Sequence, residues 1–430
     1  MINILKKENC VGCMACVQRC PVKCISIHKD EQGFSYPKVD ISLCINCHLC
    51  EKVCPVINQP KHREPKEVYA AVNKDFEILR SSSSGGIFYT VAMKVIKEGG
   101  VVFGAKFSKD WSVVHDYTET IEGIRAFQGS KYVQSKIGNA FQTAENFLKA
   151  GRKVMFTGTP CQIAALGLFL KKDYGHQLIK MDVICHGVPS PVVWMDYLNY
   201  NTKSLWYQLG GNTVLTSLKE SPIITSISFR NKRFGWGKYG FSIKGIASHT
   251  TKKKNFKAKG PEEHNDKKNS SFNIFQYHYE NPFFWAFNKC YTLRPSCFAC
   301  PMKSGKSLSD MTIGDFWDVG TVFPNIDRQW GVSLILVYNE EIIKLLANDV
   351  NLKPTTYQEA VRCVKSIIRP ATQPVLYENF WTDYQAIGIS TLNHFFKKYR
   401  YSNKQKFIIN PIKKLIGPYL FELLKKYLHK

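Results

Sequence analysis

The chain has 430 residues, 44% of them hydrophobic, so it is too long for one small domain and apolar enough for two or three cores. Lys and Arg number 59 against 34 Asp and Glu, which gives a formal net charge of +25 and a basic surface. Such a surface suits an acidic partner. No nucleic-acid-binding module or basic-aromatic stripe accompanies it, so we expect no nucleic-acid partner.

The 15 cysteines are more informative than the charge. A disulfide scaffold normally belongs to a small secreted domain behind a signal peptide, whereas here the first cysteine motif already begins at Cys10. The longest uncharged apolar run, residues 154–170, is interrupted by polar residues and is shorter than the roughly 20 residues of a spanning helix. We therefore expect no transmembrane segment and a reducing, cytoplasmic location.

Two cysteine runs lie within residues 1–57, and each has the pattern Cys-x2-Cys-x2-Cys-x3-Cys-Pro. This pattern is typical of bacterial two-cluster ferredoxins, in which three thiolates of a run bind one cubane and the fourth binds the other. The predicted ligands are Cys10, Cys13, Cys16 and Cys54 for one cluster, and Cys44, Cys47, Cys50 and Cys20 for the second. Paired Cys-x2-Cys motifs also bind zinc, but a zinc site does not require two complete runs that each end in proline.

After a charged, proline-containing linker at residues 58–67, strand and helix patterns alternate. Strands are predicted at residues 68–72, 101–107, 113–117, 153–156 and 179–184, and helices at 87–96, 139–148, 163–170 and 192–200. This alternation predicts an α/β domain with a mixed sheet. Residues 223–229 and 239–246 are predicted to be paired strands, and the Lys-rich segment 249–271 a mobile loop or hairpin tip.

Polar loops lie at the ends of these elements. Ser84, Gly85 and Gly86 precede a helix, where free amides can hold a phosphate, although a simple helix cap is the alternative. A second polar loop surrounds Lys131, and a third, residues 158–162, joins a strand to a helix. Because open α/β sheets bind ligands at the carboxyl ends of their strands, these loops predict a ligand site.

A further set of cysteines, Cys290, Cys297 and Cys300, is one thiolate short of a cubane. Cys161 or Cys185 could supply the fourth ligand, since both follow predicted strands. We favour Cys161, because a helix N-terminus stabilises a thiolate. A zinc site or three structural cysteines is the alternative.

Several motifs in order resemble the family of the beta subunits of coenzyme F-420 hydrogenases and dehydrogenases. They follow the ferredoxin pattern as Ser-Gly-Gly-Ile at 84–87, Gly-Thr-Pro-Cys-Gln at 158–162, Cys-His-Gly at 185–187, Phe-Arg-x-Lys-x2-Gly-Trp at 229–236, Cys-x2-Cys at 297–300 and Gly-Asp-Phe-Trp at 314–317. Members of that family are FAD-dependent iron–sulfur enzymes with an additional cubane beside the flavin. The family also includes ferredoxin-dependent reductases of chlorophyll precursors and bacterial members of polysaccharide gene clusters.

The resemblance implies an α+β ferredoxin-like two-cluster domain followed by an α/β flavin-binding domain with a mixed sheet. The expected divisions are residues 1–57, the linker 58–67, the flavin-binding parts 68–205 and 206–375, and a basic helical tail 376–430. The expected cofactors are two N-terminal [4Fe-4S] clusters, a third [4Fe-4S] cluster and FAD.

The resemblance also suggests roles for individual residues. Ser84, Gly85 and Gly86 would hold the FAD diphosphate, and Lys131 would place positive charge near the reduced flavin. Thr159 and Gln162 would bond the flavin ring system. His186 would relay protons, with a packed loop histidine as the alternative.

The function implied by this resemblance is an oxidoreductase that passes electrons between a ferredoxin-like or deazaflavin partner and a small organic substrate, in polysaccharide biosynthesis if it follows the bacterial members. The alternative is a non-catalytic electron-transfer adaptor that docks its ferredoxin domain onto another enzyme. In the tail, apolar residues recur at helical spacing between 412 and 427 among lysines. We favour packing of this helix on the protein's own domain over peripheral contact with the inner face of an anionic membrane.

Overall fold

The structure, a computed structural model, describes residues 1–208, 216–217, 222–252 and 265–399. Its strands are β1 (Ile25–Lys29), β2 (Ser35–Val39), β3 (Glu67–Asn73), β4 (Val101–Phe107), β5 (Val113–Thr118), β6 (Val154–Gly158), β7 (Leu178–Val183), β8 (Thr216–Ser217), β9 (Ile223–Asn231), β10 (Gly240–Lys252), β11 (Asn265–Tyr277), β12 (Met311–Asp315), β13 (Ser333–Val337) and β14 (Val350–Thr355). Its helices are α1 (Ala15–Arg19), α2 (Leu49–Lys52), α3 (Phe76–Ser81), α4 (Ile87–Lys97), α5 (Ile121–Phe127), α6 (Ala140–Lys149), α7 (Pro160–Leu170), α8 (Pro191–Gln208), α9 (Pro282–Asn288), α10 (Glu341–Lys344), α11 (Tyr357–Cys363), α12 (Tyr377–Ile387) and α13 (Ser390–Tyr399).

The N-terminal domain contains the antiparallel pair β1 and β2 and the short helices α1 and α2, one in each cysteine run. Each helix begins after a residue in the left-handed region, Met14 with φ 60° and His48 with φ 57°. The two runs therefore fold in the same way, which confirms the ferredoxin-like domain predicted from the cysteine spacing.

A mixed sheet forms the centre of the α/β region, with the order β14-β3-β13-β12-β7-β6-β4-β5 in the described part of the chain. Strands β4, β6, β7 and β12 are parallel neighbours, and the others pair antiparallel. This confirms the prediction of a mixed sheet. Because β4, β6, β7 and β12 run in one direction, the loops after them all lie at one edge.

Helices cover both faces of this sheet, because neighbouring residues of its strands point to opposite sides. In β4, Phe103 packs into a core with α6 and α7, while Val102 packs into the core on the other face with α4 and α5. All five residues of β13 are buried, as expected for a strand covered on both sides.

A second, antiparallel sheet of β8 to β11 packs beside the first region through aromatic side chains. The predicted pairing of residues 223–229 with 239–246 is confirmed by β9 and β10. The prediction of a loop at residues 249–271 was wrong at its ends. Strand β10 continues to Lys252 and β11 begins at Asn265, with residues 253–264 outside the described part.

Most other predicted elements are confirmed, with shifts at their ends. Helix α7 begins at Pro160 rather than at 163, because proline is well suited to the first helical position. Helix α8 extends to Gln208, beyond the predicted end at 200. The predicted amphipathic tail segment at residues 412–427 lies outside the described residues.

Within the part of the chain that the structure describes, none of the helices combines the length and apolarity needed to cross a bilayer.

Candidate functional site

The eight cysteines of the two N-terminal runs separate into two groups in space. One small cavity is lined by Cys10, Cys13, Cys16 and Cys54, which we call set one. A second is lined by Cys20, Cys44, Cys47 and Cys50, which we call set two. Each group takes three cysteines from one run and the last from the other, as the spacing predicts. Their role as cluster ligands stays a prediction.

Set one lies toward the α/β region and set two lies away from it. Cys13 belongs to the core that contains α6 and α7, and α1 contacts both helices. The set-two cavity is lined only by residues 1–50, and Cys47 is exposed. Cys24, outside the pattern, is buried with its sulfur 3.5 Å from that of Cys20.

Among the described residues, no three His, Cys, Asp or Glu side chains converge closely enough to hold one metal ion. A tetrahedral zinc ion needs that convergence. A cubane does not, because its thiolates bind different iron atoms.

A third group of thiols lies half-buried between the N-terminal domain and the loop edge of the mixed sheet. It consists of Cys161, Cys185, Cys297 and Cys300, which we call set three. Burial raises the pKa of Cys161 to about 12, and the charges of Cys300 and Cys185 contribute to this rise. Burial raises the pKa of Cys297 too, with the other three thiols adding to the effect. These mutual effects require the four sulfurs to lie near one another.

Cys290 lies apart from this group, although the sequence placed it with Cys297 and Cys300. Burial raises the pKa of Cys290 to about 11, and the charged group that acts on it is Lys289, not another cysteine. Its sulfur lies 3.4 Å from Nε2 of His186. Instead, Cys161 and Cys185 both approach Cys300, because they follow the parallel neighbours β6 and β7. Which of these cysteines bind a third cluster stays a prediction.

A cavity of about 540 Å³ opens at the same edge of the sheet. This lies within the roughly 300–1,000 Å³ typical of small-molecule and cofactor sites. Its lining includes most of the residues predicted to bind a ligand, namely Ser84, Gly86, Lys131, Thr159, Gln162 and His186, together with Cys185 of set three. The cavity and the third thiol group therefore meet at Cys185.

The serine-glycine loop forms one wall of the cavity and leads into α4. Gly86, Ile87 and Phe88 line the cavity, and no side chain caps the start of this helix. Gly86 has φ 85°, and a Cβ on Gly85 would lie 2.2 Å from the carbonyl oxygen of Ala71. Gly85 is thus held behind the wall by close packing. The free amides of the first turn suit an anion such as a phosphate.

Lys131 contributes a positive charge to the cavity wall. Its Nζ donates to the carbonyl oxygens of Ala126 at 2.8 Å and Gln128 at 3.1 Å, at the end of α5. Burial lowers the pKa of this lysine to about 7. No carboxylate among the described residues pairs with it, so an anionic ligand would favour its charged form.

Thr159 and Gln162 are held by protein partners on several of their polar atoms. Oε1 of Gln162 accepts from the backbone N–H of Thr159 at 2.9 Å, and Nε2 donates to Oγ of Ser135 at 3.0 Å. The hydroxyl of Thr159 lies 3.2 Å from the sulfur of Cys161. These contacts fix the loop, so contact with a flavin ring stays a prediction.

His115 continues this network and was missed by the sequence analysis. Its Nε2 lies 2.9 Å from the carbonyl oxygen of Thr157, which can only accept, so Nε2 carries the hydrogen. Nδ1 then accepts from the hydroxyl of Ser135 at 2.9 Å. Burial lowers the pKa of His115 to about 4, which keeps it neutral in this arrangement.

His186 lies between the cavity and Cys290. Its ring meets the edge of Phe287 with centroids 5.2 Å apart, and burial lowers its pKa, with the charge of Lys303 adding to the effect. A neutral imidazole at the cavity wall could accept a proton. Its role as a proton relay stays a prediction.

Two partial matches to family models cover parts of this arrangement. The 4Fe-4S dicluster domain matches residues 9–58, and the model for the C terminus of the coenzyme F420 hydrogenase/dehydrogenase beta subunit matches residues 151–209. A subunit of the F(420)H(2) dehydrogenase of Methanosarcina mazei is 24% identical over 195 residues, 43% of this chain and 55% of that protein. Residues 151–209 therefore match the family of coenzyme F420 hydrogenase/dehydrogenase beta subunits, which the ordered motifs of the sequence also resemble.

Two further relatives match. A protein named Ferredoxin 7Fe from Hydrogenibacillus schlegelii is 36% identical over 74 residues, 16% of this chain and 88% of that protein. The solved F420-reducing [NiFe] hydrogenase complex from Methanosarcina barkeri contains a chain similar over 71% of this chain and 89% of its own length, with 16% identity and a TM-score of 0.40. The chain spans about half of the curated Methanosarcina mazei protein, at 55%.

The protein is thus an iron–sulfur protein with a 4Fe-4S domain at residues 9–58, and it is related to subunits of F420 hydrogenases and dehydrogenases. Of set three, the F420 family match at residues 151–209 contains Cys161 and Cys185. Cys297 and Cys300 come from the later segment around the short helical turn Pro295–Cys297.

Two arginines of the site had no role assigned from the sequence. Arg230 pairs with both oxygens of Asp315, at 2.7 and 3.1 Å, and donates to the carbonyl oxygen of Ser83 at 3.1 Å. It thereby joins the second sheet to the serine loop and to the end of β12. The motifs at 229–236 and 314–317 contain this pair, but spacing alone gives no sign that the two side chains meet.

Arg294 is fully buried where the N-terminal domain meets the α/β region. It donates to the carbonyl oxygens of Cys10 at 2.7 Å and Ser35 at 2.9 Å, and to Oε1 of Gln134 at 3.0 Å. Within the described residues it has no carboxylate partner. Its charge also acts to lower the pKa of Cys161, so it lies between set one and set three.

Proposed function

We propose that this protein is an iron–sulfur flavoprotein that passes electrons between FAD in the large cavity and a partner protein, through three [4Fe-4S] clusters. The observation that carries the proposal is that the large cavity adjoins a half-buried set of four thiols, which in turn adjoins the ferredoxin domain through Arg294. When bound, the flavin would exchange two electrons with a small organic substrate and one at a time with the clusters.

The cavity fits the anionic part of FAD. The uncapped start of α4 offers backbone amides at the cavity wall, and Gly86 supplies the φ of 85° with which the chain enters this helix. Lys131 adds a buried ammonium that no carboxylate neutralises in the described structure. We propose that the Ser84 to Gly86 loop holds the diphosphate and that Lys131 supplies positive charge to the bound cofactor.

Set three fits a third cluster. Its four thiols are partly exposed side chains, and burial together with their mutual charges raises the pKa of Cys161, Cys185 and Cys297, so in the metal-free protein these three would be protonated. Iron would bind them as thiolates. We therefore propose Cys161, Cys185, Cys297 and Cys300 as the ligands, with Cys185 beside the cavity and Cys290 left out.

The positions of these residues would place the cofactors in a row, from the flavin through set three and set one to set two. Cys185 borders the cavity, Arg294 lies between set three and set one, and set two occupies the far end of the N-terminal domain. The buried positive charge of Arg294 would favour the more negative, reduced state of both neighbouring clusters. His186 lies on the cavity wall next to Cys185, where a bound substrate would find a proton acceptor.

The partner is proposed to be a ferredoxin-like protein or reduced deazaflavin. The second candidate is an adaptor without its own cofactor site, and that function does not explain the 540 Å³ cavity or the lysine, Lys131, in its wall. For that reason the flavoprotein is the function that the geometry supports best.

Composition after purification without oxygen tests the proposal. Iron, acid-labile sulfide and released flavin are measured per chain. About 12 irons and one FAD are expected for three cubanes and one flavin site. About 8 irons and no flavin would contradict the proposal and favour the adaptor.

A further inference from the structure

The far end of the N-terminal domain carries exposed apolar side chains around the set-two thiols. Ile41 is 72% exposed, Leu43 58% and Ile45 61%, and all three lie in the five-residue segment 41–45 that contains Cys44. Val22 is 39% exposed and, like Ile45, lines the set-two cavity. We call these four residues the outer face. Several large apolar side chains exposed together on a small domain mark an interaction site.

From this we propose that the outer face docks a small, acidic electron-carrier protein. This inference rests on the proposed function, because it assumes that set two binds a cluster. The position of the face supports it, since Cys47 is exposed there while set one is turned toward the α/β core. An electron that leaves or enters the protein at set two therefore crosses this face.

Charge at the edge of the face favours an acidic occupant. Lys23 follows Val22 and Lys38 lies two residues before Asp40, and both side chains are exposed. Neither forms an ion pair within the described residues. Two acids lie nearby: Glu51 on α2 is paired with His48 at 2.8 Å and with the N-terminal ammonium, and Oδ1 of Asp40 accepts from the hydroxyl of Ser42 at 2.6 Å. Free lysines around an apolar centre match an acidic partner with an apolar contact.

The chemistry at this face is a single electron exchange. When the carrier is reduced, it gains one electron that the set-two cluster loses, and in the reverse direction the carrier gives one back. No bond is made or broken and no proton is required. Such contacts are small and short-lived, so a face of about four apolar side chains with a charged edge is sufficient.

Binding of a plant-type [2Fe-2S] ferredoxin, a small acidic carrier, tests the proposal on the full chain purified without oxygen. The variant Ile41→Ser/Leu43→Ser removes apolar area without touching a cysteine. We expect its dissociation constant to rise about tenfold or more. Ile57→Ser is the matched control, because Ile57 is also 58% exposed but follows Cys54 of set one, and its affinity should equal that of the wild type.

A second variant tests the charged edge. Lys23→Glu/Lys38→Glu should slow association and reduce the dependence of binding on salt. Iron per chain is measured for every variant, so a lost cluster is distinguished from a lost contact.

Three results would overturn the inference. They are equal affinity of wild type and Ile41→Ser/Leu43→Ser, no ferredoxin binding by the wild type, or binding of the outer face to anionic phosphatidylglycerol vesicles instead. The proposed function fails separately, through missing FAD or missing set-three iron. Ferredoxin binding at set two needs neither.

Discussion

The N-terminal domain and the α/β region hold their cysteines in different ways. The buried core around the cysteines of the N-terminal domain consists of Ile2, Ile25 and four cysteines, Cys16, Cys24, Cys50 and Cys54. Set three instead lies at the loop edge of a sheet, and both faces of that sheet are packed with aliphatic and aromatic residues. A core made largely of thiols needs its metal to be stable, whereas an aliphatic core does not. We therefore expect the N-terminal domain to need its clusters in order to stay folded, and the α/β region to stay folded without its cluster.

Removal of iron should give the largest effect and separate the two regions. After chelation under reducing conditions, we expect amides of residues 1–57 to exchange freely with solvent, while those of β4, β6, β7 and β13 stay protected. Hydrogen exchange followed by mass spectrometry measures this. Equal loss of protection in both regions would show that the α/β fold also depends on its metal.

Replacement of single cysteines should have the next largest effect, and it tests which thiols of the α/β region bind iron. Cys185→Ser is expected to lose about four irons per chain, one cubane, with the fold retained. Cys290→Ser is the matched control and should keep all its iron, because its sulfur contacts His186 rather than set three. The opposite pattern of iron loss would return Cys290 to the ligand set.

Arg294 forms hydrogen bonds between the two regions, so its replacement should lower the stability of both. Arg294→Met leaves the carbonyl oxygens of Cys10 and Ser35 without a donor, and we expect a loss of roughly 3 kcal/mol in the free energy of unfolding. It should also lower the reduction potentials of the clusters on either side.

Arg294→Lys serves as the control for that experiment. It keeps the charge but loses the forked geometry, so stability should fall while the potentials change little. Potentials are measured by redox titration monitored by electron paramagnetic resonance. A purely structural arginine would leave the potentials of both variants alike.

Much of this comparison could be predicted from the sequence, for reasons that differ between the regions. The runs from Cys10 and Cys44 are local, so their spacing alone predicts both groups. The loops of Ser84, Lys131 and Thr159 were predicted to share a site because strands such as β4 and β6 end at one edge. The contacts of Arg294 with Cys10 and of Arg230 with Asp315 span long stretches of chain, and no local pattern indicates them. The same is true of the placement of Cys290 beside His186.

The smallest predicted effect concerns Lys131 and the pH dependence of cofactor binding. Its pKa is depressed to about 7, so the unliganded protein loses this charge as pH rises through that value. An anionic cofactor favours the charged form, and FAD affinity should therefore fall as pH rises above about 7.

Lys131→Ala should bind FAD about tenfold more weakly at pH values below that point and lose this pH dependence. Lys131→Arg should keep the affinity and show no fall above neutral pH, because a guanidinium stays charged. Flavin fluorescence quenching during titration of the apoprotein gives the affinities. Equal pH profiles for wild type and Lys131→Ala would show that the ammonium does not contact the cofactor.

Cys161, Cys185, Cys297 and Cys300 are proposed to surround a third cluster between the flavin cavity and the ferredoxin domain. Anomalous scattering at the iron edge, from crystals grown without oxygen, tests this proposal most directly. We expect three iron peaks, one each within set one, set two and set three. Two peaks confined to residues 1–57, or a third peak at Cys290, would contradict it.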